Sequence, residues 1–327
     1  MHVITKKGNG YEPAETAEDK FHGVKPFDIP TGTQAKSSGI SCSKFVSQTL
    51  TEFANEDTKI TAITPAMRQG SALECFATTH PQRFFDVGIA EQHAVTFSAG
   101  QVKEGFKPFC FLYSTFLQRA YDQIIHDVSL QELPVRFITD RSGLTGEDGP
   151  THHGIFDVAA LRIIPNVEIC NTYSKNSILA ALNYAKTSTK PLFIRIPKEN
   201  VWDCELEYKP YKCTLFQRGS KNEKKVLITT GRFFKMAIEG ERYKEWIILD
   251  PFFIKPLDAQ ILQYIKNASE VEILDENSIG GLASIILEEC NKHNIATNKI
   301  KVHTIPDHFI THGNNSELFT KECNFGF

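Results

Sequence analysis

From residue 41 onward, short apolar runs alternate with segments of helical periodicity, and this alternation limits the possible folds more than any other feature. The strand-like runs are KITAITPA, RFFDVG, KPFCFLY, PVRFITD, VEIC and PLFIRIP, and helical segments such as SKFVSQTLTEFANED and NSILAALNYAKTS lie between them. Because short links between alternating strands and helices favour a parallel sheet covered on both faces, we predict a doubly wound α/β fold with mostly parallel sheets.

The pattern is interrupted once, which indicates two domains. Residues 198–222 lose the alternation and collect charges, and the strand–helix pattern then resumes on a smaller scale with KVLITT, WIILD and EVEILDE. We therefore predict a first domain at 41–200, a linker at 201–222 and a second α/β domain at 223–327. Residues 1–40 are rich in Gly, Pro, Lys and Thr and are predicted to be a connector that opens with a short strand, HVIT.

Composition argues against several classes of function. The 36 basic and 39 acidic residues give a net charge of -3 and form no block of like charge, so no nucleic-acid or membrane partner is expected. The 8 cysteines lie far apart without a CxxC pair, which is typical of a reducing compartment. No apolar run is long enough to span a bilayer. We expect a cytoplasmic protein, or one in a plastid-like organelle if a transit peptide has been lost.

Glu91 is the first candidate site residue. It belongs to the mostly apolar stretch RFFDVGIAEQHAVTF, a few residues after a predicted strand and in the first turn of the next helix. The helix dipole favours an acidic residue there, so a purely structural role is one interpretation. A carboxylate among apolar side chains is costly unless a donor binds it. Since sites in open α/β sheets form beyond the carboxyl ends of strands, a ligand could be that donor.

The second candidate is the loop DRSGLTGEDGPTHHG at residues 140–154, which contains Arg141, Asp148, His152 and His153. Its glycines let the backbone approach a ligand closely, and its charged and imidazole groups could bind anions or transfer protons. Tandem histidines could also bind a metal, but no Cys or further His lies nearby at ligand spacing. For this segment alone, a solvated surface loop is an equally good interpretation.

The third candidate is YSTFLQRAYDQ, which opens a segment predicted to be one helix, TFLQRAYDQIIHDVSLQ. Tyr113, Phe116 and Arg119 are three residues apart and therefore share a helical face or its entrance. Aromatic residues with one Arg usually form core with a snorkelling charge. A phosphate-bearing substrate is the sharper alternative.

Several of these motifs occur together in one known family. The chain contains HVITKKGNGYEPAE, KFHGVKPFD, RFFDVGIAEQHAV, YSTFLQRAYDQIIHDV, GEDGPTHHGIFD, FFIKPLD and IPDHFITHG. In this combination it resembles the 1-deoxy-D-xylulose-5-phosphate synthase family, thiamine-diphosphate enzymes related to transketolase, over nearly its whole length. The resemblance implies a transketolase-like pyrimidine-binding domain followed by a transketolase C-terminal domain.

The resemblance also implies roles for individual residues. Glu91 matches the glutamate that hydrogen-bonds the aminopyrimidine ring of thiamine diphosphate and promotes loss of the thiazolium proton. His22 and His152 are implied to act with it in catalysis, and Tyr11 and Phe116 to line the cofactor site. The residues implied to contact the substrate are Tyr113, Arg119, Arg141, Asp148 and Lys198.

The implied reaction joins pyruvate to D-glyceraldehyde 3-phosphate with loss of CO2 and gives 1-deoxy-D-xylulose 5-phosphate, a precursor of isoprenoids and thiamine. Family members carry, before the region matched here, a domain that binds the cofactor's diphosphate and Mg2+ through a GDG-type motif. We expect that domain to be missing, the Mg2+ ligands to lie in it, and no metal ligands in this chain. A homodimer is expected, with a separate diphosphate-binding chain as a possible partner.

One departure from the family concerns substrate binding, and two other functions stay open. Where the family shows a PRGN-like segment, this chain has PKEN, with Lys198 and Glu199. Lysine is a point charge where arginine offers a bidentate fork, and Glu199 is expected to add negative charge beside a phosphate. The alternatives are a β-type subunit of a 2-oxoacid dehydrogenase, and a non-catalytic dimerising or interaction module.

Overall fold

The computed structural model of the protein describes residues 1–17, 20–24, 26–34, 39–218 and 224–326. The chain divides into two compact units, Met1–Gly39 and Ile40–Phe327. The end of the predicted linker, residues 219–222, lies outside the described residues.

The first unit is built around three aromatic rings. The ring of Tyr11 lies 5.6 Å from that of Phe21 and 5.7 Å from that of Phe27. Helix α1 (Glu12–Thr16) begins directly after Tyr11, whose hydroxyl donates to the carbonyl of Ile29 over 2.7 Å. The predicted strand HVIT is wrong, because residues 2–5 are irregular and no described strand pairs with them.

The second unit contains two sheets with helices between their strands. Its strands are β1 (Ile60–Thr64), β2 (Phe84–Asp86), β3 (Lys107–Tyr113), β4 (Arg136–Asp140), β5 (Glu168–Asn171), β6 (Leu192–Arg195), β7 (Thr214–Gln217), β8 (Lys225–Ile228), β9 (Ile247–Asp250), β10 (Phe253–Lys255), β11 (Glu270–Leu274) and β12 (Ile300–His303). Its helices are α2 (Cys42–Glu56), α3 (Glu74–Thr79), α4 (Glu91–Lys103), α5 (Ser114–Leu117), α6 (Tyr121–Gln123), α7 (Asp157–Leu161), α8 (Lys175–Ala185), α9 (Arg232–Glu239), α10 (Gln260–Asn267), α11 (Leu282–Lys292) and α12 (Asn315–Glu317).

Both sheets are mostly parallel, which confirms the predicted fold class. The larger has the spatial order β10-β5-β6-β4-β3-β1-β2, and the smaller has the order β12-β11-β8-β9-β7. The antiparallel pairs are β10 with β5 and β7 with β9. Strand β10 comes from the C-terminal part of the chain and pairs with β5 at the edge of the larger sheet. The C-terminal part of the chain therefore contributes one strand to the larger sheet. Strand β7 lies inside the segment predicted to be a linker.

The central strands of the larger sheet are buried on both faces. Every residue of β1, β4 and β6 is buried, as expected for a parallel sheet covered by helices. Phe137 and Phe193 stack within this core with ring centroids 4.4 Å apart. Helix α2 is capped by Ser41, whose hydroxyl accepts a hydrogen bond from the amide of Lys44, and α8 is capped by a capping box between Ser174 and Ser177.

The segment after β3 differs from its prediction as one helix. It contains α5, a 3-10 turn at Gln118–Ala120, α6 and a π-helical stretch at Ile124–Ser129. Such π turns occur frequently at functional sites, and this one follows the aromatic residues singled out by the sequence. Among the described residues, no helix is both long and apolar enough to cross a membrane.

Candidate active site

The candidate site lies at the carboxyl edge of the larger sheet. Strands β2, β1, β3, β4 and β6 are parallel neighbours, so their carboxyl ends share that edge. The segments that follow four of them carry the predicted site residues of this unit, which are Glu91 after β2, Tyr113, Phe116 and Arg119 at and after the end of β3, Arg141, Asp148 and His152 after β4, and Lys198 after β6.

Glu91 is the first residue of α4 and is 2% exposed. The residue before it, Ala90, offers no side chain to cap the helix, so the acidic group itself lies at the positive end of the helix dipole. Nη1 of Arg119 donates to Oε1 of Glu91 over 3.2 Å, while about half of the Arg119 side chain is exposed. The buried carboxylate therefore has a cationic partner that reaches it from the protein surface.

The rings of Phe116, Tyr113 and His152 lie next to one another beside Arg119 and form an aromatic wall. The guanidinium of Arg119 lies 5.6 Å from the ring centroid of Phe116, and Phe116 stacks on Tyr113 with centroids 5.6 Å apart and an interplanar angle of 11°. The imidazole of His152 meets both rings edge-on, 5.5 Å from Phe116 and 6.5 Å from Tyr113. The predicted common face of Tyr113, Phe116 and Arg119 is therefore present in the structure, although the helix is broken.

Arg141 is held rigidly against Tyr113. Its backbone has a φ of 59°, a left-handed conformation that a non-glycine residue adopts only at some cost in energy. Nη1 of Arg141 donates over 2.8 Å to Oδ2 of Asp140 and over 2.8 Å to the carbonyl of Gly70. Its guanidinium lies 4.2 Å from the centroid of the Tyr113 ring. Gly70 must be a glycine, because a Cβ there would lie 2.0 Å from the Tyr113 hydroxyl.

Burial changes the acid–base properties of this pair. Desolvation raises the pKa of the Tyr113 hydroxyl, so the phenol stays protonated at physiological pH. Desolvation alone would lower the pKa of Arg141, but the neighbouring Asp140 carboxylate outweighs it and the pKa is raised. Both groups therefore act as hydrogen-bond donors throughout the physiological range.

Lys198 and Asp148 form the third charged pair of the site, with Nζ 2.6 Å from Oδ1. The neighbouring Glu199 has partners of its own. Its carboxylate accepts from Nη1 of Arg232 over 2.7 Å and from the hydroxyl of Tyr173 over 2.8 Å. The expectation that Glu199 adds negative charge beside a phosphate stays a prediction, since Arg232 pairs with the carboxylate of Glu276 as well as with that of Glu199.

Each cation of the site has an acidic partner. The pairs are Arg119 with Glu91, Arg141 with Asp140 and Lys198 with Asp148. An ammonium group carries three donors, so Lys198 can bind an anion without leaving Asp148. The site can thus receive a negatively charged ligand at its rim.

The two other predicted site residues, Tyr11 and His22, belong to the first unit. Tyr11 is part of the aromatic cluster described above, and His22 is exposed. Their positions within the first unit neither support nor contradict the predicted roles of Tyr11 and His22 at the site.

Sequence reasoning missed the residues that support the site from the C-terminal part of the chain. Arg232 and Glu276 bond each other and the loop at Leu144. His153 was a candidate as one of the two histidines of the loop, but its attachment to the C-terminal part of the chain was not predicted. Arg232 comes after a predicted strand and a glycine, Gly231, and this was the available signal. Among the described residues, no group of three or more His, Cys, Asp or Glu side chains could hold a metal ion.

Residues 38–202 match the family model described as transketolase, pyrimidine binding domain. The chain belongs to this family. The match covers the larger sheet through β6 and all of the site residues of the second unit.

Relatives of known function share this family's region and the part that follows it. The chain is 41% identical, over 98% of its length and 53% of the relative's, to 1-deoxy-D-xylulose-5-phosphate synthase of Caldanaerobacter subterraneus subsp. tengcongensis. It is 41% identical, over 97% of its length and 52% of the relative's, to the enzyme of the same name from Aquifex aeolicus. The chain thus spans about half the length of the curated relatives it matches.

Solved transketolase structures share the fold. A chain described as a split gene transketolase, inactive beta4 tetramer, superposes with a TM-score of 0.75 at 22% identity, covering 87% of this chain and 94% of that one. Transketolase from Leishmania mexicana gives a TM-score of 0.72 at 15% identity, covering 88% of this chain and 44% of that one.

Proposed function

We propose that this transketolase-family chain supplies the pyrimidine-binding and C-terminal domains of a 1-deoxy-D-xylulose-5-phosphate synthase. The observation that supports it most strongly is the clustering of eight residues, implied by resemblance and scattered from position 91 to position 198, at one edge of one sheet. The 41% identity to synthases over 98% of the chain supports the same reaction, in which pyruvate and D-glyceraldehyde 3-phosphate give 1-deoxy-D-xylulose 5-phosphate and CO2.

The residues at the buried end of the site suit the aminopyrimidine of thiamine diphosphate. Glu91 offers a carboxylate in an almost fully buried position, which requires a hydrogen-bonding partner, and Phe116 offers a flat apolar surface near it. When bound, thiamine diphosphate acts as the electron sink that makes decarboxylation of a 2-oxoacid possible. A grouping that suits its Mg2+ is not found among the described residues, so we assign the diphosphate and Mg2+ to a separate domain.

We assign proton transfer to Glu91 and its positioning to Arg119. A carboxylate has two oxygens, and Arg119 binds Oε1. Oε2 is therefore the oxygen we assign to the cofactor's ring nitrogen, where it holds or releases a proton. Because Arg119 reaches in from the surface and half of it is exposed, it can exchange between Glu91 and a ligand at the rim without leaving a cation buried.

We assign binding of the acceptor's phosphate to Lys198 and of its polar groups to Tyr113, Arg141, Asp148 and His152. Lys198 lies at the rim, with about a third of its side chain exposed, whereas Arg141 is mostly enclosed beside Tyr113. Tyr11 and His22 keep the cofactor-lining and catalytic roles that the resemblance implies, as proposals.

The split gene transketolase chain shows how a protein of this extent can be organised. That protein is described as an inactive β4 tetramer, and it matches this chain over 94% of its own length. We propose that this chain likewise self-associates, as a homodimer or larger assembly. It would then need the diphosphate-binding domain, supplied by the same or another polypeptide, for turnover.

Complementation tests the proposal directly. Thiamine diphosphate with Mg2+ is titrated calorimetrically into the purified chain, alone and mixed with a separately expressed diphosphate-binding domain from one of the synthases. Each mixture is then assayed for CO2 release from pyruvate with and without D-glyceraldehyde 3-phosphate. We expect cofactor binding and product formation in the mixture, and loss of turnover in Glu91→Ala. CO2 release that is indifferent to the triose phosphate would favour another 2-oxoacid enzyme, and absence of binding in the mixture would favour the non-catalytic module.

A further inference from the structure

The loop that carries Asp148 and His152 packs at both of its ends against the C-terminal part of the chain, which forms most of the smaller sheet. Leu144 and Ile155 are 0% and 2% exposed and belong to one apolar cluster with Phe233, Ile310 and Phe319. These three partners come from the C-terminal part of the chain. The loop follows β4 of the larger sheet, so its position depends on residues 78 or more positions later in the sequence.

The backbone of the loop is bound by a buried pair from the same part of the chain. The amide of Leu144 donates to Oε1 of Glu276 over 2.8 Å, and the carbonyl of Leu144 accepts from Nη2 of Arg232 over 2.5 Å. Gly143 has no space for a side chain, because a Cβ would lie 2.5 Å from Oε1 of Glu276. The same guanidinium binds Glu199, next to Lys198, so one residue holds both sides of the rim.

His153 makes the third attachment, and its geometry fixes its tautomer. The amide of Thr145 donates to Nδ1 of His153 over 3.0 Å, so Nδ1 must be unprotonated. Nε2 then carries the hydrogen and donates to the carbonyl of Thr311 over 3.1 Å. The residue is 2% exposed, and a proton on Nδ1 would face the Thr145 amide directly.

The charged groups around His153 do not offset the effect of burial on the pKa of its imidazole. Desolvation lowers the pKa of the imidazole, and Arg232 lowers it further, whereas the Thr311 carbonyl and the carboxylates of Glu276 and Glu322 raise it. The net direction is downward, which favours the neutral ring at physiological pH.

We propose that His153 is a positioning residue, which in its neutral Nε2–H form fastens the loop carrying Asp148 and His152 to the C-terminal segment at Thr311. It touches no reacting atom and acts through the loop. The C-terminal domain thereby shapes the rim at which the acceptor binds. The importance of this position for catalysis rests on the proposed function, whereas the tautomer and the attachment do not.

The tautomer is measured on the native chain, labelled with 15N at histidine, by long-range 1H–15N spectra between pH 5.5 and 8.5. His153→Gln assigns the signal, and His126→Gln, at an exposed ring beside Asp122, serves as the matched control. We expect His153 to show an unprotonated Nδ1 and a protonated Nε2, and to titrate below the ordinary histidine value of 6.5. A hydrogen on Nδ1, or titration of His153 above that value, would overturn the proposal.

A second measurement uses the enzyme completed with the diphosphate-binding domain. We expect His153→Ala to raise KM for the triose phosphate by about tenfold with a smaller change in kcat, since a displaced contact residue weakens substrate positioning. His153→Gln should recover part of this loss, because its amide can still donate to Thr311 or accept from Thr145. Equal loss in both variants would contradict the positioning role. If the native completed enzyme has no activity, only the proposed function fails, because the tautomer result stands by itself.

Discussion

The guanidinium of Arg119 donates to the carboxylate of Glu91 over 3.2 Å, so an exposed cation and a buried anion form one pair at the start of α4. The two residues lie 28 positions apart and follow strands β2 and β3, which lie on either side of β1 in the sheet. Glu91 therefore has two distinct properties, the free-energy cost of burying its carboxylate and its proposed use in proton transfer. Each can be measured separately.

We expect Glu91→Gln to leave the fold intact and to lower kcat of the completed enzyme by roughly a hundredfold or more, the range of lost general acid–base catalysis. Glutamine keeps the shape and can accept from Arg119 but cannot hold or release the proton. Glu104→Gln, at the exposed C-terminal end of the same helix, is the matched control and should retain native kcat. Native turnover in Glu91→Gln would exclude the assigned role.

At Lys198 we expect the choice of cation to control affinity for the acceptor's phosphate. Lys198→Arg introduces a planar fork that binds phosphate through two donors, and should lower KM for D-glyceraldehyde 3-phosphate several-fold. Lys198→Met should raise it by about tenfold or more, the value of one charge-assisted hydrogen bond. Lys190→Met, at an exposed position, is the control, and initial rates at varied triose phosphate are the measurement. An unchanged KM in both Lys198 variants would place the phosphate elsewhere.

The location of the site was predictable because it depends on local patterns. Strand ends can be recognised from apolar runs, and parallel neighbours bring their carboxyl ends together, so Glu91, Tyr113 and Arg141 were identified as candidates before the structure. The resemblance added Lys198. The break in the helix after β3 was not predictable, because TFLQRAYDQIIHDVSLQ has continuous helical periodicity and the 3-10 and π turns are imposed by tertiary contacts.

The supporting contacts were not predictable because their partners are distant in sequence. His153 and Thr311 are 158 positions apart, and Arg232 and Leu144 are 88 apart. The periodicity of a sequence predicts helices and strands, but it does not show which side chain of one sheet contacts the other sheet. Glu199 shows the consequence, since its sequence position gave no sign that Arg232, 33 positions later, pairs with its carboxylate.

We expect Glu199, through its pair with Arg232, to stabilise the contact between the larger and the smaller sheet. Burial alone would raise the pKa of its carboxyl, but Arg232 and the hydrogen bonds from Tyr173 and Asn315 hold it below the ordinary value. A carboxyl with a depressed folded-state pKa contributes stability that is present above its unfolded value of 4.5 and is lost as pH falls below it.

Glu199→Ala should therefore lower the free energy of unfolding at pH 7 by about 1 to 3 kcal/mol, the range for hydrogen bonds to a charged group. Urea unfolding at pH 7 and at pH 4 gives the comparison, with Glu207→Gln at an exposed position as control. The difference between Glu199→Ala and the native chain should narrow at pH 4. A difference that does not depend on pH would show that packing, rather than charge, explains the effect.

Asp250 should have the opposite pH dependence. It ends β9 and is 2% exposed, and burial raises the pKa of its carboxyl to about 7 although the amide of Phe252 donates to it over 2.8 Å. A folded-state pKa above the unfolded value of 3.8 means that the native protein favours the protonated form. The free energy of unfolding must then fall as pH rises from about 4 to about 7, by about 1.4 kcal/mol for each pKa unit of difference.

Asp250→Asn removes this ionisation and keeps the acceptor for the Phe252 amide, so we expect the variant to be more stable than the native chain at pH 8. Its advantage should shrink steadily in urea unfolding at pH 7, 6 and 5. Some pH dependence must remain in the variant, because burial also raises the pKa of Asp275, to about 6. Asp203→Asn, at an exposed carboxylate paired with Lys175, is the control and should follow the native curve. An advantage of the same size at every pH would mean that Asp250 is ionised in the folded protein, with its charge compensated inside the smaller sheet.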